Sequence, residues 1–509
     1  MKSKKERNSM KKQLFSLMVV AGCLSFTKPV LADDSSSAEN TEKMIQKMTV
    51  QAHALESQMH QLNSQIHALK VEQQTLKSQV KTEKAGSHQS MHAPETTPFY
   101  PIPSVLSGSP VMVASYLGSH TTFSPFDLAV TYTDYMENLR ILQLREALYN
   151  RYKRHNVEGP SGPMLIVSGK VEGQGIYSST FNSSHTSRID LSAAELDLIP
   201  VVNSWAGGFV SFKYDNSQAP NQPLTNNSRV HVDQGYLTFG NLNRLPFYLT
   251  IGQFYVPFGN YSSLMISSPM TQQIFQTRAR ALEVAYQHPC DQGPYAQVYA
   301  FNGDTNTKNN DNINNLGANV GYSYSQGSAW NIDSSVGVIA NVADSLGMQQ
   351  TNLPTGFAGF SVGNNEALVR QVAGVSAHVN FGVGPFGMNT EYVTATSQFA
   401  PQDLMYNGHG ARPAAMNLEG YYNFRAWNRP SAVVASYGQS WQALALGAPQ
   451  YRYEASVLTS VWRNTLQQIE FRHDVNYSAT DSSNGRGAAG PTVGGGSSNT
   501  VTLLLGIYF

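Results

Sequence analysis

The ten residues from Thr500 to Phe509 read TVTLLLGIYF. Val501, Leu503, Leu505, Ile507 and Phe509 share one parity. A period of two marks a β-strand with one apolar face. Two settings produce such a face. One is a soluble sheet packed on its core; the other is a strand that meets lipid and finishes on an aromatic at the membrane interface. The rest of the chain selects between them.

The 509 residues carry 34 basic and 34 acidic side chains. Zero net charge argues against a nucleic-acid partner and is silent on substrate charge. Charged residues make up 13% of the chain, about half the average of soluble domains. Gly (41), Tyr (26) and Phe (22) are abundant, as in membrane β-barrels. Mean hydropathy is −0.30, and no apolar run of helical-span length follows the N-terminus. A helical membrane protein is thereby excluded.

Working back from the closing stretch, period-two patterning predicts an all-β membrane fold, a transmembrane antiparallel barrel of sixteen strands over 163–509. The strands fall at 163–177, 187–197, 204–214, 228–239, 245–256, 278–287, 293–302, 317–325, 329–342, 368–381, 385–397, 414–425, 430–439, 450–462, 465–477 and 499–509. Long connections rich in Asn, Ser, Gly or Pro, among them 257–277, 343–367, 398–413 and 478–498, alternate with short turns such as 382–384 and 426–429. Outer-membrane barrels are built with long outer loops and short periplasmic turns. An even strand number puts both barrel ends in the periplasm.

Charges within strands keep one parity. Arg229, His231 and Asp233 oppose Val230 and Val232; Glu470, Arg472 and Asp474 oppose Ile469, Phe471 and Val475. A charge facing lipid at mid-depth costs roughly 2–4 kcal/mol, so the charged parity must face a polar lumen. His473 departs from this rule, and strand 187–197 needs a bulge to obey it. The six named residues are the ligand-path candidates. Mixed signs two residues apart also fit a plainer role, a wall stiffened by ion pairs.

Ahead of the barrel lie three segments. Residues 1–32 read as a secretory signal, with Lys11 and Lys12, an apolar core from Leu14, and Val30-Leu31-Ala32 before the cut. Val20-Ala21-Gly22-Cys23 offers a rival lipoprotein site. Residues 33–85 carry a heptad with Ile45, Ala52, Met59, Ile66, Gln73 and Val80 at a and Met48, Leu55, Leu62, Leu69 and Leu76 at d, predicting a periplasmic coiled coil about 50 Å long whose core Ala52 and Gln73 weaken. Its Leu row favours a homo-oligomer, with a fold-back on its own chain as the alternative. Residues 86–162 form a Pro- and His-containing linker and a plug candidate. Within it a helix is predicted from Asp134 to Arg151, with Leu139, Leu142, Ala147 and Leu148 apolar and Glu137, Arg140, Arg145 and Glu146 polar. The segment from 104 to 162 either packs inside the lumen or docks under its periplasmic mouth.

No nucleophile elbow, zinc helix or phosphate loop is present, so neither an enzyme nor a cofactor is expected. Cys23 and Cys290 are the only cysteines, and no metal cluster is expected. Asn302-Gly303-Asp304 and the Asn-rich run to Asn315 lack the spacing of a calcium loop.

The closing stretch resembles the last strand of bacterial outer-membrane barrels, whose terminal Phe is part of the signal read by the assembly machinery. The stretch LPFYLTIGQFYVPFGNYSS, Leu245 to Ser263, with VHVDQGYLTFGNL, Val230 to Leu242, before it, resembles the LbtU-like siderophore porins. That family is named for a receptor of the siderophore legiobactin. The resemblance implies an outer-membrane barrel that takes up ferric siderophore without a large TonB-type plug domain. It transfers no binding residue. The alternatives are a general or oligomeric solute porin and a barrel-anchored surface interaction protein.

Overall fold

The structure, a computed structural model, describes residues 111–113, 138–139, 141–146, 149–150 and 163–509, except 182–183, 216–228, 289–291, 306, 308–311, 327–329, 351–358, 361–366, 463 and 487–491. The signal at 1–32, the coiled coil at 33–85 and Cys290 lie outside the described residues.

In chain order the strands are β1 (Val111–Val113), β2 (Met164–Ser179), β3 (His185–Val201), β4 (Ala206–Asp215), β5 (Arg229–Gly240), β6 (Phe247–Tyr255), β7 (Arg278–Gln287), β8 (Gly293–Phe301), β9 (Asn315–Ser325), β10 (Trp330–Ile339), β11 (Gly374–Val383), β12 (Phe386–Ala395), β13 (Leu404–Tyr406), β14 (His409–Gly410), β15 (Ala414–Ala426), β16 (Arg429–Trp441), β17 (Tyr451–Thr459), β18 (Thr465–Val475), β19 (Ser482–Gly485), β20 (Thr492–Val493) and β21 (Ser497–Tyr508). Sixteen of them, β2–β12, β15–β18 and β21, pair antiparallel with their sequence neighbours. β21 then pairs with β2, from Ser178↔Thr500 to Lys170↔Tyr508, and the sheet closes on itself. Closure removes every long edge that unpaired main-chain groups would expose to lipid.

Alternation explains why these residues take this form. In β21 every second residue is buried, while Val501, Leu503, Leu505 and Ile507 lie open on the outer face. The same outward parity holds Leu237, Ile251, Leu282, Val298, Val338, Leu418, Val457 and Ile469. Such a wide exposed apolar belt is stable against lipid and not against water. Aromatic pairs gather at the rim with short turns: Phe247–Tyr286, Tyr324–Trp330 and Phe386–Tyr422, with ring centroids 5.3, 5.0 and 4.9 Å apart. That is where an interfacial girdle belongs. The barrel is an outer-membrane barrel by this construction.

The turn joining β15 to β16 consists of Trp427 and Asn428, both at positive φ (50° and 61°), a two-residue hairpin turn whose twist matches the strands. At the seam, Gly169 and Phe509 exchange N–H and carbonyl hydrogen bonds of 2.8 and 3.0 Å. A Cβ on Gly169 would sit 2.8 Å from the Phe509 ring, so the terminal aromatic lies in the space that a glycine leaves. Beyond Phe509, β1 pairs parallel with Leu165–Val167 and covers the remaining edge of β2.

Two bulges re-aim side chains. Opposite Glu172 and Gly173 the register of β3 skips Ser192, which supplies the bulge that the parity of this strand requires. In β5 the register skips Asp233, which the alternation alone did not indicate. Asp233 and Gln234 consequently both lie buried on the lumen side. The strand predicted to begin at 368 begins at Gly374, because 367–373 fold with the outer loops.

Candidate functional site

The segment from 257 to 277, an outer loop by its sequence, turns into the lumen instead. Val256, Phe258, Tyr261, Leu264, Met265, Met270, Ile274 and Phe275 are buried. The reason is chemical: no charged residue occurs between Val256 and Thr277, so nothing holds this stretch in bulk water. A short helix, α2 (Met270–Phe275), returns the chain to the wall.

Three inward glutamates hold the loop by its main chain. Glu391 on β12 accepts from the N–H groups of Asn260 (2.6 Å) and Tyr261 (3.1 Å) and from the Thr271 hydroxyl (2.8 Å). Glu419 on β15 accepts from the Ser263 hydroxyl (2.6 Å) and the Leu264 N–H (3.0 Å). Glu470 on β18 accepts from the N–H groups of Ile266 and Ser267 and from the Ser267 hydroxyl. Arg452 donates to the Ser268 carbonyl (3.1 Å) and Arg472 to the Ser267 hydroxyl (2.8 Å). Buried carboxylates survive only when their lone pairs are taken, and loop N–H groups take them here. Between the loop and this wall lies a cleft lined by Asn260, Asn380, Asn389 and Asn417, too thin to seat a water-sized sphere. The loop is closed on the β11–β18 side.

The facing wall, β2–β5 with β7, is built differently. Lys213 and Arg278 both reach Asp233, the former at 2.6 Å, and the Tyr255 hydroxyl donates to the same carboxylate at 3.2 Å. His231 Nε2 stands 3.9 Å from it. Lys170 lies 3.7 Å from both Glu172 and Glu195, and Arg188 2.7 Å from Asp190. These inward cations are partly exposed, whereas the glutamates under the loop are not. Water therefore reaches the lumen along this wall, and the loop apex at Ile266–Ser268, also partly exposed, borders it.

The sequence candidates thus divide between two places. Glu470, Arg472 and Asp474 belong to the clamp, with Asp474 joining Arg452 (2.8 Å) to Arg472 (3.2 Å). Asp233 centres the open wall with His231 beside it, and Arg229 stands at the outer end of β5, exposed. Glu391 and Glu419 were missed. Glu391 is the only charge on its strand and Glu419 shares β15 only with Arg425, six residues on, so no closely spaced row of charges drew attention to either.

A second inward element, α1, has described residues 138–139, 141–146 and 149–150. It packs at the short-turn mouth on the strands of the open wall. Ile141 and Leu144 join Met164, Ile166, Ile199 and Val201, while Leu142 joins Leu242, Tyr248 and Ala285. Arg145, placed on a polar face by the sequence pattern, is 1% exposed and donates to the carbonyls of Thr238 and Gly240. Glu146 accepts from the Leu242 N–H. A helix buried on several sides accommodates polar residues this way, because the strand ends supply the partners.

The outer mouth is roofed. β13, β14, β19 and β20 form a four-stranded sheet from two loops, and Arg486 pairs with Asp403 (3.1 Å) beside it. Asp344, in a 3-10 turn (Val342–Asp344), is buried among Thr305, Asn315 and Asn341. Burial pushes its carboxyl up to about 6.

One trio has the residue types of a hydrolase: Ser335, His378 and Asp333. His378 Nδ1 lies 2.8 Å from the Ser335 hydroxyl and Nε2 2.7 Å from Asp333. The serine N–H that an oxyanion would need belongs to the sheet, since Ser335 is in register with Gly321 on one side and His378 on the other. The trio ties adjacent strands together.

No family model matches the chain. Among solved structures it is similar to the outer membrane channel DcaP of Acinetobacter baumannii, with a TM-score of 0.44, 15% identity and coverage of 69% of this chain and 99% of that one. It is also similar to OmpF of Salmonella typhi, with a TM-score of 0.43, 11% identity and coverage of 68% and 98%. Sequence relatives reach further. A UPF0422 protein of Coxiella burnetii is 34% identical over 405 residues, covering 79% of this chain and 84% of its own. A UPF0422 protein of Legionella pneumophila strain Lens is 35% identical over 444 residues, 83% of each chain. At that identity and over that length, the chain belongs to the UPF0422 family.

Proposed function

We propose that the protein is an outer-membrane solute porin whose passage runs along the β2–β5 wall, narrowed by the inward loop and obstructed at its periplasmic end by α1. The observation that carries this reading is the loop itself: a chargeless segment threaded into a sixteen-strand lumen and clamped there by Glu391, Glu419 and Glu470. A barrel of about this strand number is wide enough for an aqueous channel, and a clamped loop sets its width. The segment 104–162, through α1, acts as the plug, and the coiled coil at 33–85 associates copies in the periplasm. The protein performs no bond chemistry. The test is conductance of the purified full chain in planar bilayers, before and after deletion of residues 104–162. Stepwise currents that grow on deletion support the reading. A chain that gives neither currents nor liposome swelling in either form overturns it.

A second reading, uptake of ferric siderophore, rests on the resemblance. The residues that carry it, Val230 to Leu242 and Leu245 to Ser263, cover most of β5, all of β6 and the start of the inward loop. Iron-limited growth and labelled-siderophore uptake, with and without the gene, decide it. Uptake of every siderophore unchanged by loss of the protein removes it and leaves the general porin.

A further inference from the structure

The ion pairs of the open wall are not symmetric toward water. In each pair the cation side chain is the more exposed. Lys170 is 22% exposed over Glu172 (13%) and Glu195 (5%), and Lys213 is 32% exposed over Glu195 (5%) and Asp233 (3%). Arg278 is 27% exposed over the same Asp233 (3%), and Arg188 is 64% exposed over Asp190 (16%). Arg472, across the seam, is 25% exposed over Asp474 (6%). Four cations on β2–β5 and β7 (Lys170, Arg188, Lys213 and Arg278) stand against four carboxylates (Glu172, Asp190, Glu195 and Asp233), so the paired set has no net charge. It is nevertheless a layer of dipoles with the positive ends in the lumen.

The geometry points to a channel that selects anions: small solutes bearing carboxylate or phosphate groups, handed along Arg188, Arg278, Lys213, Lys170 and Arg472. This rests on the porin reading given above. Three physical points support it. A solute in contact with the wall meets N–H donors, while the carboxylates behind them are already accepting. Guanidinium groups suit carboxylate and phosphate oxygens in paired hydrogen bonds. The loop opposite contributes no charge of either sign, and Glu391, Glu419 and Glu470 behind it are buried, so the surface that a solute touches on that side carries no carboxylate. At 0.1 M salt the Debye length is about 10 Å, so screening does not erase the field of groups that a solute touches.

The test uses the full chain in planar bilayers with a potassium chloride gradient. The reversal potential is expected to show chloride passing several-fold more readily than potassium. Sodium citrate added to one side is expected to reduce the chloride current in a dose-dependent way, and an equal concentration of sucrose is not. Lys170→Gln with Lys213→Gln is expected to bring the ratio toward one. Should that pair assemble poorly, as judged by heat-modifiable migration on gels, Arg188→Gln is the substitute: its side chain is largely exposed, so its smaller shift in the same direction reads electrostatics alone. Equal passage of the two ions, or a preference for potassium, overturns the inference while leaving a channel. A chain with no conductance overturns the channel reading and this inference with it.

Discussion

The two sides of the lumen use carboxylates for opposite ends. On the β11–β18 side, Glu391, Glu419 and Glu470 face inward and are consumed by main-chain N–H groups of the loop. On the β2–β5 side, Asp233 and Glu195 are equally buried but hold cations that lean into water. The same residue types become scaffold where a segment lies over them and water-facing ion pairs where none does. Lumen polarity alone therefore does not identify a solute path; the partner that takes up each lone pair does.

The sharpest way to break this contrast is to free the loop. Glu391→Ala with Glu419→Ala removes two acceptors of buried N–H groups, and each charge-assisted contact is worth about 1.5–3 kcal/mol. Single-channel conductance should rise several-fold with the barrel still assembled; unchanged conductance would mean that the loop does not limit passage. Next in size is Asp233→Asn, which leaves Lys213 and Arg278 without their shared carboxylate. Their exposure softens the stability cost to about 1 kcal/mol, while the reversal potential should move further toward chloride. A move toward potassium would contradict the arrangement of the open wall.

Arg145→Ala has a smaller expected effect. It deletes the hydrogen bonds that fasten α1 to Thr238 and Gly240, at a cost of about 1–3 kcal/mol in docking. Protease should then cut near residues 138–150 faster than in the parent protein, with channel noise increased. The smallest effect concerns pH and the roof. The Asp344 carboxyl, raised by burial to about 6, stands above its unfolded value of about 3.9. The fold thus favours the protonated form; the extra stability is complete below about 3.9 and is lost as pH rises through about 6. Amide exchange at 342–349, corrected for its intrinsic pH dependence, should be slower at pH 5 than at pH 7.5. Asp344→Asn should remove that difference.

The barrel was legible because its rule is local. Period-two alternation fixes which face each residue takes, and fifteen of the sixteen predicted strands start within two residues of those observed; the exception is β11, predicted from 368 and found from Gly374. The inward loop was harder to read because burial there is set by contacts more than one hundred residues away, such as Tyr261 with Glu391. A signal did exist: from Val256 to Gln276 there is no charge, yet Phe258, Leu264, Met265, Ile266, Met270, Ile274 and Phe275 occur. The outer loop expected at 303–316, by contrast, carries charge at Asp304, Lys308 and Asp311. Arg145 was misplaced for a related reason. Helical spacing shows which residues share a face, but the carbonyls of strand ends can make an arginine welcome inside. Asp233 was placed on the right side, although the bulge that seats it left no mark in the alternation.

The clamp seizes the loop largely through its peptide groups, and this shapes what mutation can do there. Glu391 and Glu470 each read two consecutive N–H groups, and Glu419 reads one with a neighbouring hydroxyl. Side chains at Asn260, Ile266 and Ser268 can be exchanged without giving up the main-chain grip. Proline is the exception at 260, 261, 264, 266 and 267, because it has no N–H to offer. Descendants of this chain can therefore retune the rim of the passage one substitution at a time, keeping its anchorage constant while its chemistry drifts toward a new solute.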